Sequence, residues 1–251
     1  DVYINHPMRK FYDDSKPNSF APEKLTAYQA GIKSRLFDNR LQFNVEGFYW
    51  DYKDQQQTFL GVANFGGFVL VTKNAGAVTL YGLDASATWR ATDNDTFTAD
   101  VSYLNSNYDE YTYTAFSFFG PPSTGCKSTP TGPISYQLDC SGLPLARSPE
   151  WTGRVSYSHT QSLGTNGDLV FNIGTRFSSE YFVTNDFTPV ELVDGYTTSD
   201  ASLTWNMASG RSSVTAFVKN IEDEAIFVGG NQVDLTVHNT MTGNIAPPRT
   251  Y

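Results

Sequence analysis

Phe37-Asp38-Asn39-Arg40-Leu41-Gln42-Phe43-Asn44-Val45-Glu46-Gly47-Phe48-Tyr49-Trp50 is the stretch whose reading decides the fold. Its first four residues form a tight polar turn, because Asp and Asn tolerate left-handed backbone and cap local N–H groups. After the turn the residues alternate. Leu41, Phe43, Val45, Gly47 and Tyr49 fall on one face, and Gln42, Asn44 and Glu46 on the other, with Phe48 and Trp50 continuing that second face. A period of two belongs to a strand with one apolar side. A second extended segment, near 25–36, lies upstream of the turn, so the unit reads as two antiparallel strands.

The same unit recurs along the chain. Tight turns stand at Ala91-Thr92-Asp93-Asn94-Asp95, Gly164-Thr165-Asn166-Gly167-Asp168 and Ala208-Ser209-Gly210-Arg211. Alternating segments flank them near 83–90, 97–106, 151–158 and 199–206, with looser ones near 169–179 and 213–220. Longer irregular stretches separate these hairpins at 54–68, 110–148, 180–195 and 222–247. Short and long connections therefore alternate, as they do where strands cross an outer membrane. The polar faces carry Asp84, Asp100, Arg154, Arg176, Asp200 and Lys219, which a packed sandwich core could not hold and a wetted face could. Tyr49, Trp89, Phe97, Tyr103, Trp151, Tyr157 and Trp205 lie on the apolar faces near strand ends, as the aromatic girdles of a membrane barrel do. From pattern alone the chain is all-β, and two architectures stay open: a transmembrane barrel, or a soluble β-sandwich with one wet face per sheet.

Composition narrows the class. Of 251 residues 17% are charged and 15% aromatic. Disorder needs more charge and fewer aromatics, and a helical bundle needs more Leu, Ala, Glu and Lys. The net charge is −9 with no Lys/Arg cluster, so nucleic acid is not an expected partner. No run of about 18 apolar residues exists, which excludes a transmembrane helix and leaves a barrel untouched. Asp1-Val2-Tyr3-Ile4-Asn5-His6-Pro7 has neither a basic nor an apolar leader region, so either a signal was removed or the chain is a piece of something longer.

Several segments, in order, resemble TonB-dependent outer-membrane receptors. They are Pro22-Glu23-Lys24-Leu25-Thr26-Ala27-Tyr28-Gln29-Ala30-Gly31-Ile32-Lys33-Ser34, the turn and strand from Phe37 to Trp50 with Asp51-Tyr52-Lys53-Asp54, and Asn74-Ala75-Gly76 with Tyr81-Gly82-Leu83-Asp84. Phe217-Val218-Lys219-Asn220-Ile221-Glu222-Asp223-Glu224 resembles that family's penultimate strand, and Pro247-Pro248-Arg249-Thr250-Tyr251 the lead-in to its last. The resemblance covers nearly the whole chain. It implies an antiparallel up-and-down transmembrane β-barrel, here a fragment of about eight full strands from a barrel that has 22 in the family. Residues 1–251 would then be the C-terminal part of that barrel, with a plug domain and its energy-coupling box upstream and the closing strand beginning at Tyr251.

The resemblance also implies the role: active uptake of a scarce nutrient, foremost an iron–siderophore complex, across the outer membrane of a Gram-negative bacterium, energised by the TonB system. The implied partners are outer-membrane lipid, the chain's own N-terminal plug domain, the TonB complex acting through that plug, and a small-molecule ligand such as a ferric siderophore. No enzyme activity and no cofactor are expected. A passive porin-like or structural barrel and a soluble carbohydrate-binding β-sandwich are the alternatives, and nothing in the residues selects the ligand.

Within the long stretch 110–148 lie the only cysteines, Cys126 and Cys140. In an oxidising compartment they are expected to bridge, closing a loop of about 15 residues worth roughly 3 kcal/mol. Tyr108, Tyr111, Tyr113, Phe116, Phe118 and Phe119 crowd the start of that stretch, and exposed loop aromatics suit ligand stacking. Packing of the loop on itself, or anchoring in the girdle, is the competing reading. Phe182, Phe187 and Phe227 are weaker candidates of the same kind. His6, His159 and His238 show no ligand spacing, no nucleophile elbow occurs, and Asp93-Asn94-Asp95 lacks the Gly and Glu of a calcium loop. No catalytic or metal site is expected.

Overall fold

A computed structural model describes residues 20–62, 68–118, 120–232 and 241–251. Its strands are β1 Lys24–Leu36, β2 Leu41–Val62, β3 Phe68–Arg90, β4 Asp95–Phe116, β5 Lys127–Pro130, β6 Ser135–Asp139, β7 Trp151–Ser162, β8 Asp168–Ser178, β9 Tyr181–Phe182, β10 Leu192–Val193, β11 Tyr196–Asn206, β12 Ser213–Val218, β13 Phe227–Gln232 and β14 Met241–Ile245. Eight of them form a wall in the order β1-β2-β3-β4-β7-β8-β11-β12. Each neighbour is antiparallel. The β5–β6 hairpin hangs on the outer part of β4. Beyond β12, Lys219 and Thr250 exchange both backbone hydrogen bonds, so the chain's last residues begin to pair with that edge.

The four tight turns of the sequence fall where expected. β1 and β2 pair without a shift from Lys24↔Lys53 to Leu36↔Leu41. Their turn holds Phe37, Asp38 and Asn39 all at positive φ, closed by the Arg40 N–H to Phe37 carbonyl bond of 3.0 Å. At the next turn Thr92 Oγ1 accepts from the Asn94 and Asp95 N–H groups at 3.1 and 3.0 Å.

All four long stretches carry strand that the sequence expectation lacked, with β9 pairing β10 inside 180–195 and β13 pairing β14 inside 222–247. Residues 54–68 are not a loop up to their tip: β2 and β3 continue past the bulge near Asp54 and pair to Val62↔Phe68. Gln55, Gln56, Gln57 and Thr58 carry no apolar alternation, so nothing in that segment advertised a strand. Residues 110–116 are likewise strand, and β5 and β6 occupy part of the remainder of 110–148.

The wall's polarity decides between sandwich and barrel. Ile32, Leu83, Val155 and Val214 stand out from one surface, 66, 55, 52 and 58% exposed. Tyr28, Tyr49 and Tyr81 sit side by side at one border of that apolar band, and Tyr103 meets Trp151 there with tilted rings, centroids 4.8 Å apart. At the other border Trp89, Phe97 and Tyr157 are neighbours, with centroids 5.7 and 4.8 Å apart. Tyr81 to Trp89 is eight residues, about 26 Å of strand, the height of an outer-membrane apolar band. A sandwich would bury this surface; here the polar surface faces the concave side and the apolar one faces out. Among the described residues no helix is long and apolar enough to cross a membrane, which has no bearing on crossing by strands.

Candidate functional site

Beyond the apolar band the strands carry a layer with a core of its own. Val78, Tyr108, Tyr111, Cys126, Tyr136, Leu138, Cys140 and Phe187 are buried together. A bulge in β4 builds it. Ala77 pairs with Glu110 and Val78 with Tyr108, so Asp109 is an extra residue. An odd spacing would otherwise send Tyr108 and Tyr111 to opposite faces; the extra residue brings them to the same one. Their rings stack at 4.5 Å, and Tyr111 stacks on Tyr113 at 5.4 Å. Tyr108 and Tyr111 are 2 and 4% exposed.

Cys126 directly precedes β5 and Cys140 directly follows β6, and the two form a disulfide across the base of that hairpin. Against it packs the segment 183–191, which joins β9 to β10. The Asp186 carbonyl accepts from the Gly125 N–H at 2.8 Å and from Thr124 Oγ1 at 2.7 Å. Gly125 is required there, because a Cβ would lie 2.2 Å from the Phe187 carbonyl oxygen. Phe187 meets Tyr108 edge-on at 6.4 Å and Phe182 at 5.5 Å. Asn185 accepts from the Tyr108 hydroxyl and donates to Gln57, tying the segment to β4 and β2. The Thr188-Pro189-Val190-Glu191 turn closes with the Glu191 N–H on the Thr188 carbonyl at 2.9 Å and the Thr188 N–H on Glu191 Oε2 at 3.0 Å. Burial, and then the Glu191 charge, push the Asp186 carboxyl up to about 6.

The loop aromatics singled out from sequence are thus divided. Tyr108 and Tyr111 form core, Tyr113 and Phe116 are part-buried, Phe118 is exposed, and Phe119 lies outside the described residues. Phe182 and Phe187 join the same cluster, and Phe227 opens β13. His159, without ligand spacing in the sequence, places Nδ1 2.7 Å from Asp95 Oδ1 at the short-turn end. His6 and His238 lie outside the described residues. Among the described residues no group of three or more His, Cys, Asp or Glu side chains converges.

The concave face below the layer is a groove of about 1130 Å³. Register sets its charges side by side: Glu46, Asp84 and Ser102 in one row, and Asn44, Ser86, Asp100, Arg154 and Arg176 in the next. The Ser102 hydroxyl donates to Asp84, and Arg176 Nε donates to Thr198 Oγ1 at 2.7 Å. Acidic groups therefore occupy β2 to β4 and basic ones β7 and β8, with Lys33 of β1 beside Asn44 on the far side of the acids. The alternating Ser and Thr of the sequence concealed this separation, since it appears only once the register is known.

Residues 7–221 match the family described as TonB dependent receptor-like, beta-barrel. The chain belongs to that family. It is a β-barrel protein of the outer membrane. Solved structures with the same fold include the ferric yersiniabactin uptake receptor FyuA from Yersinia pestis, with TM-score 0.64 at 16% identity over 90% of this chain and 28% of that one. The siderophore receptor PiuA from Acinetobacter baumannii gives 0.61 at 15% identity over 91% of this chain and 27% of that one. The pyoverdine receptor FpvA from Pseudomonas aeruginosa PAO1, bound to pyoverdine, gives 0.58 at 14% identity over 97% and 31%. This receptor barrel chain thus spans under a third of the length of each of these proteins. No curated protein sequence matches the chain.

Proposed function

We propose that this chain is the C-terminal part of the barrel of an active outer-membrane receptor that imports a scarce nutrient, foremost an iron–siderophore complex. In this reading the TonB system supplies the energy through an N-terminal plug domain. The observation that carries it is the pairing of a lipid-type outer surface with a charged concave face beneath a cross-linked loop layer. The ferric-siderophore receptors among the similar folds favour iron as the cargo. The short turns face the periplasm and the layer faces outside the cell. Ligand contact falls to the exposed Phe118 and the part-buried Tyr113 and Phe116 of the layer, while Tyr108 and Tyr111 set their position.

The charge belt fits the plug better than it fits the cargo. From Glu46 on β2 to Arg176 on β8 is four strand spacings, about 19 Å, with acid on one side and base on the other. A partner complementary to both halves must present opposite charges in fixed order across that span, which a folded domain does.

The test is uptake by cells with and without the intact receptor, under iron limitation, using ⁵⁵Fe loaded on a panel of siderophores, with cobalamin and maltodextrins as further arms. Loss of ⁵⁵Fe uptake from at least one siderophore is expected. Loss only of cobalamin or sugar uptake would move the cargo to that class. Unchanged uptake in every arm would contradict active import.

A further inference from the structure

The segment 183–191 carries two acids, Asp186 and Glu191, and one of them is fully buried. Glu191 is 0% exposed and Thr188 1% exposed, and Glu191 Oε1 and Thr188 Oγ1 have no hydrogen-bond partner. A buried polar oxygen left unpaired is unfavourable, and a buried carboxylate more so. Asp186 lies two residues before Thr188, its backbone fixed on Thr124 and Gly125. The Asp186 and Glu191 charges reach each other and also Tyr113. Among the described residues the ion pairs are Lys24–Asp54, Arg40–Asp93, Lys53–Asp51 and His159–Asp95, so none serves these two acids. Arg147 meets the start of the segment, donating from Nε to the Val183 carbonyl at 3.1 Å.

Every donor gathered here is oxygen: two carboxylates, the Thr188 hydroxyl and the phenols of Tyr111 and Tyr113. Both cysteines are tied in the disulfide, so no thiolate is available to a soft metal. Oxygen-only sets of this kind suit hard cations.

We propose that Asp186, Thr188 and Glu191, beside the Tyr111–Tyr113 stack, bind a hard, oxygen-seeking cation that fastens segment 183–191 to the disulfide-bonded hairpin. Such an ion satisfies the unpaired Glu191 and Thr188 oxygens and removes the repulsion between two acids placed on one short segment. The proposal is independent of which nutrient the receptor carries. Free Ca²⁺ and Fe³⁺ share the required chemistry, and the experiment separates them.

The experiment uses the intact receptor, purified in detergent and stripped with EDTA, with Tb³⁺ as the probe. Tb³⁺ bound near Tyr111 and Tyr113 emits when the tyrosines are excited. A saturable emission that Ca²⁺ displaces is expected, weakened about tenfold or more by Asp186→Asn and by Glu191→Gln. Displacement by Fe³⁺ with a phenolate charge-transfer band would assign the trivalent ion as occupant and add Tyr113 to its ligands. Each variant is first checked for heat-modifiable mobility on a gel, so that loss of emission is read only from folded barrels; Thr188→Val serves as the third variant. Absence of sensitised emission in the wild type, or emission unchanged in both carboxylate variants, overturns the proposal. A proton is the competing occupant. If Asp186→Asn raises the melting temperature in EDTA while no cation shifts the wild type, the proton fills the site and the cation does not.

Discussion

In the wall the large aliphatic side chains Ile32, Leu83, Val155 and Val214 are the exposed ones, whereas in the layer above it Val78 and Leu138 are 0 and 1% exposed. β4 does both within one strand. From Phe97 to Tyr103 its apolar residues point outward; past the Asp109 bulge its tyrosines turn inward to a core. The hydrophobic effect acts at both levels and only the solvent differs. Lipid accepts the outer face of the wall, and water drives Tyr108, Leu138 and Phe187 together above it. The layer thus has a small core of its own mounted on the wall, and the Cys126–Cys140 disulfide lies in it.

If that contrast holds, truncation should hurt only the layer. Leu138→Ala should cost about 2–5 kcal/mol of local stability, as large-to-small changes in a packed core do. Hydrogen exchange should show it as lost protection in β5, β6 and the segment 183–191, with the wall unchanged. Equal loss across β7 and β8 would mean that the two regions form one cooperative unit.

Charge should hurt only one face of the wall. Val155→Arg puts a cation on the outer surface and should cost about 2–4 kcal/mol in folding of the intact receptor into lipid vesicles, while Ser156→Arg on the concave side should cost far less. The neighbouring pair Val101 and Ser102 should repeat the ordering. Equal costs at both kinds of position would remove the lipid-facing reading.

Acid should loosen the short-turn end. Hydrogen bonds from Thr92 first, then from Tyr157 and His159, hold the Asp95 carboxyl down at about 2. The unfolded chain then binds more protons at low pH, so these bonds contribute fully above about pH 4 and are lost as pH falls towards 2. Hydrogen exchange at the Asn94 and Asp95 amides should accelerate between pH 4 and 2 beyond its intrinsic trend, and Asp95→Asn should flatten the response. A wild-type profile already flat across that interval would break the assignment.

Much of the wall was legible because a strand between lipid and water must alternate strictly. Leu41 to Tyr49 announced its faces, and Asp38-Asn39 its turn. The layer was not. Its tyrosines are spaced three and then two apart because Asp109 interrupts the period, so no single face shows in the sequence. Segment 183–191 docks in part through backbone, at the Asp186 carbonyl and Gly125, and backbone contacts leave little trace in side-chain pattern. Thr188-Pro189-Val190-Glu191 carries a capping pattern with Pro in its first turn, a sign that the alternation of strands does not draw on.

The central claim, a lipid-embedded wall with short turns inside and the layer outside, meets its most direct test in topology labelling of whole cells. In the intact receptor with Cys126 and Cys140 replaced by Ser, single cysteines are placed at Ser123 and at Asn94 in separate strains. A membrane-impermeant thiol reagent should modify Ser123→Cys on intact cells and reach Asn94→Cys only after the outer membrane is permeabilised. Labelling of Asn94→Cys on intact cells with protection of Ser123→Cys would invert the topology and contradict the account.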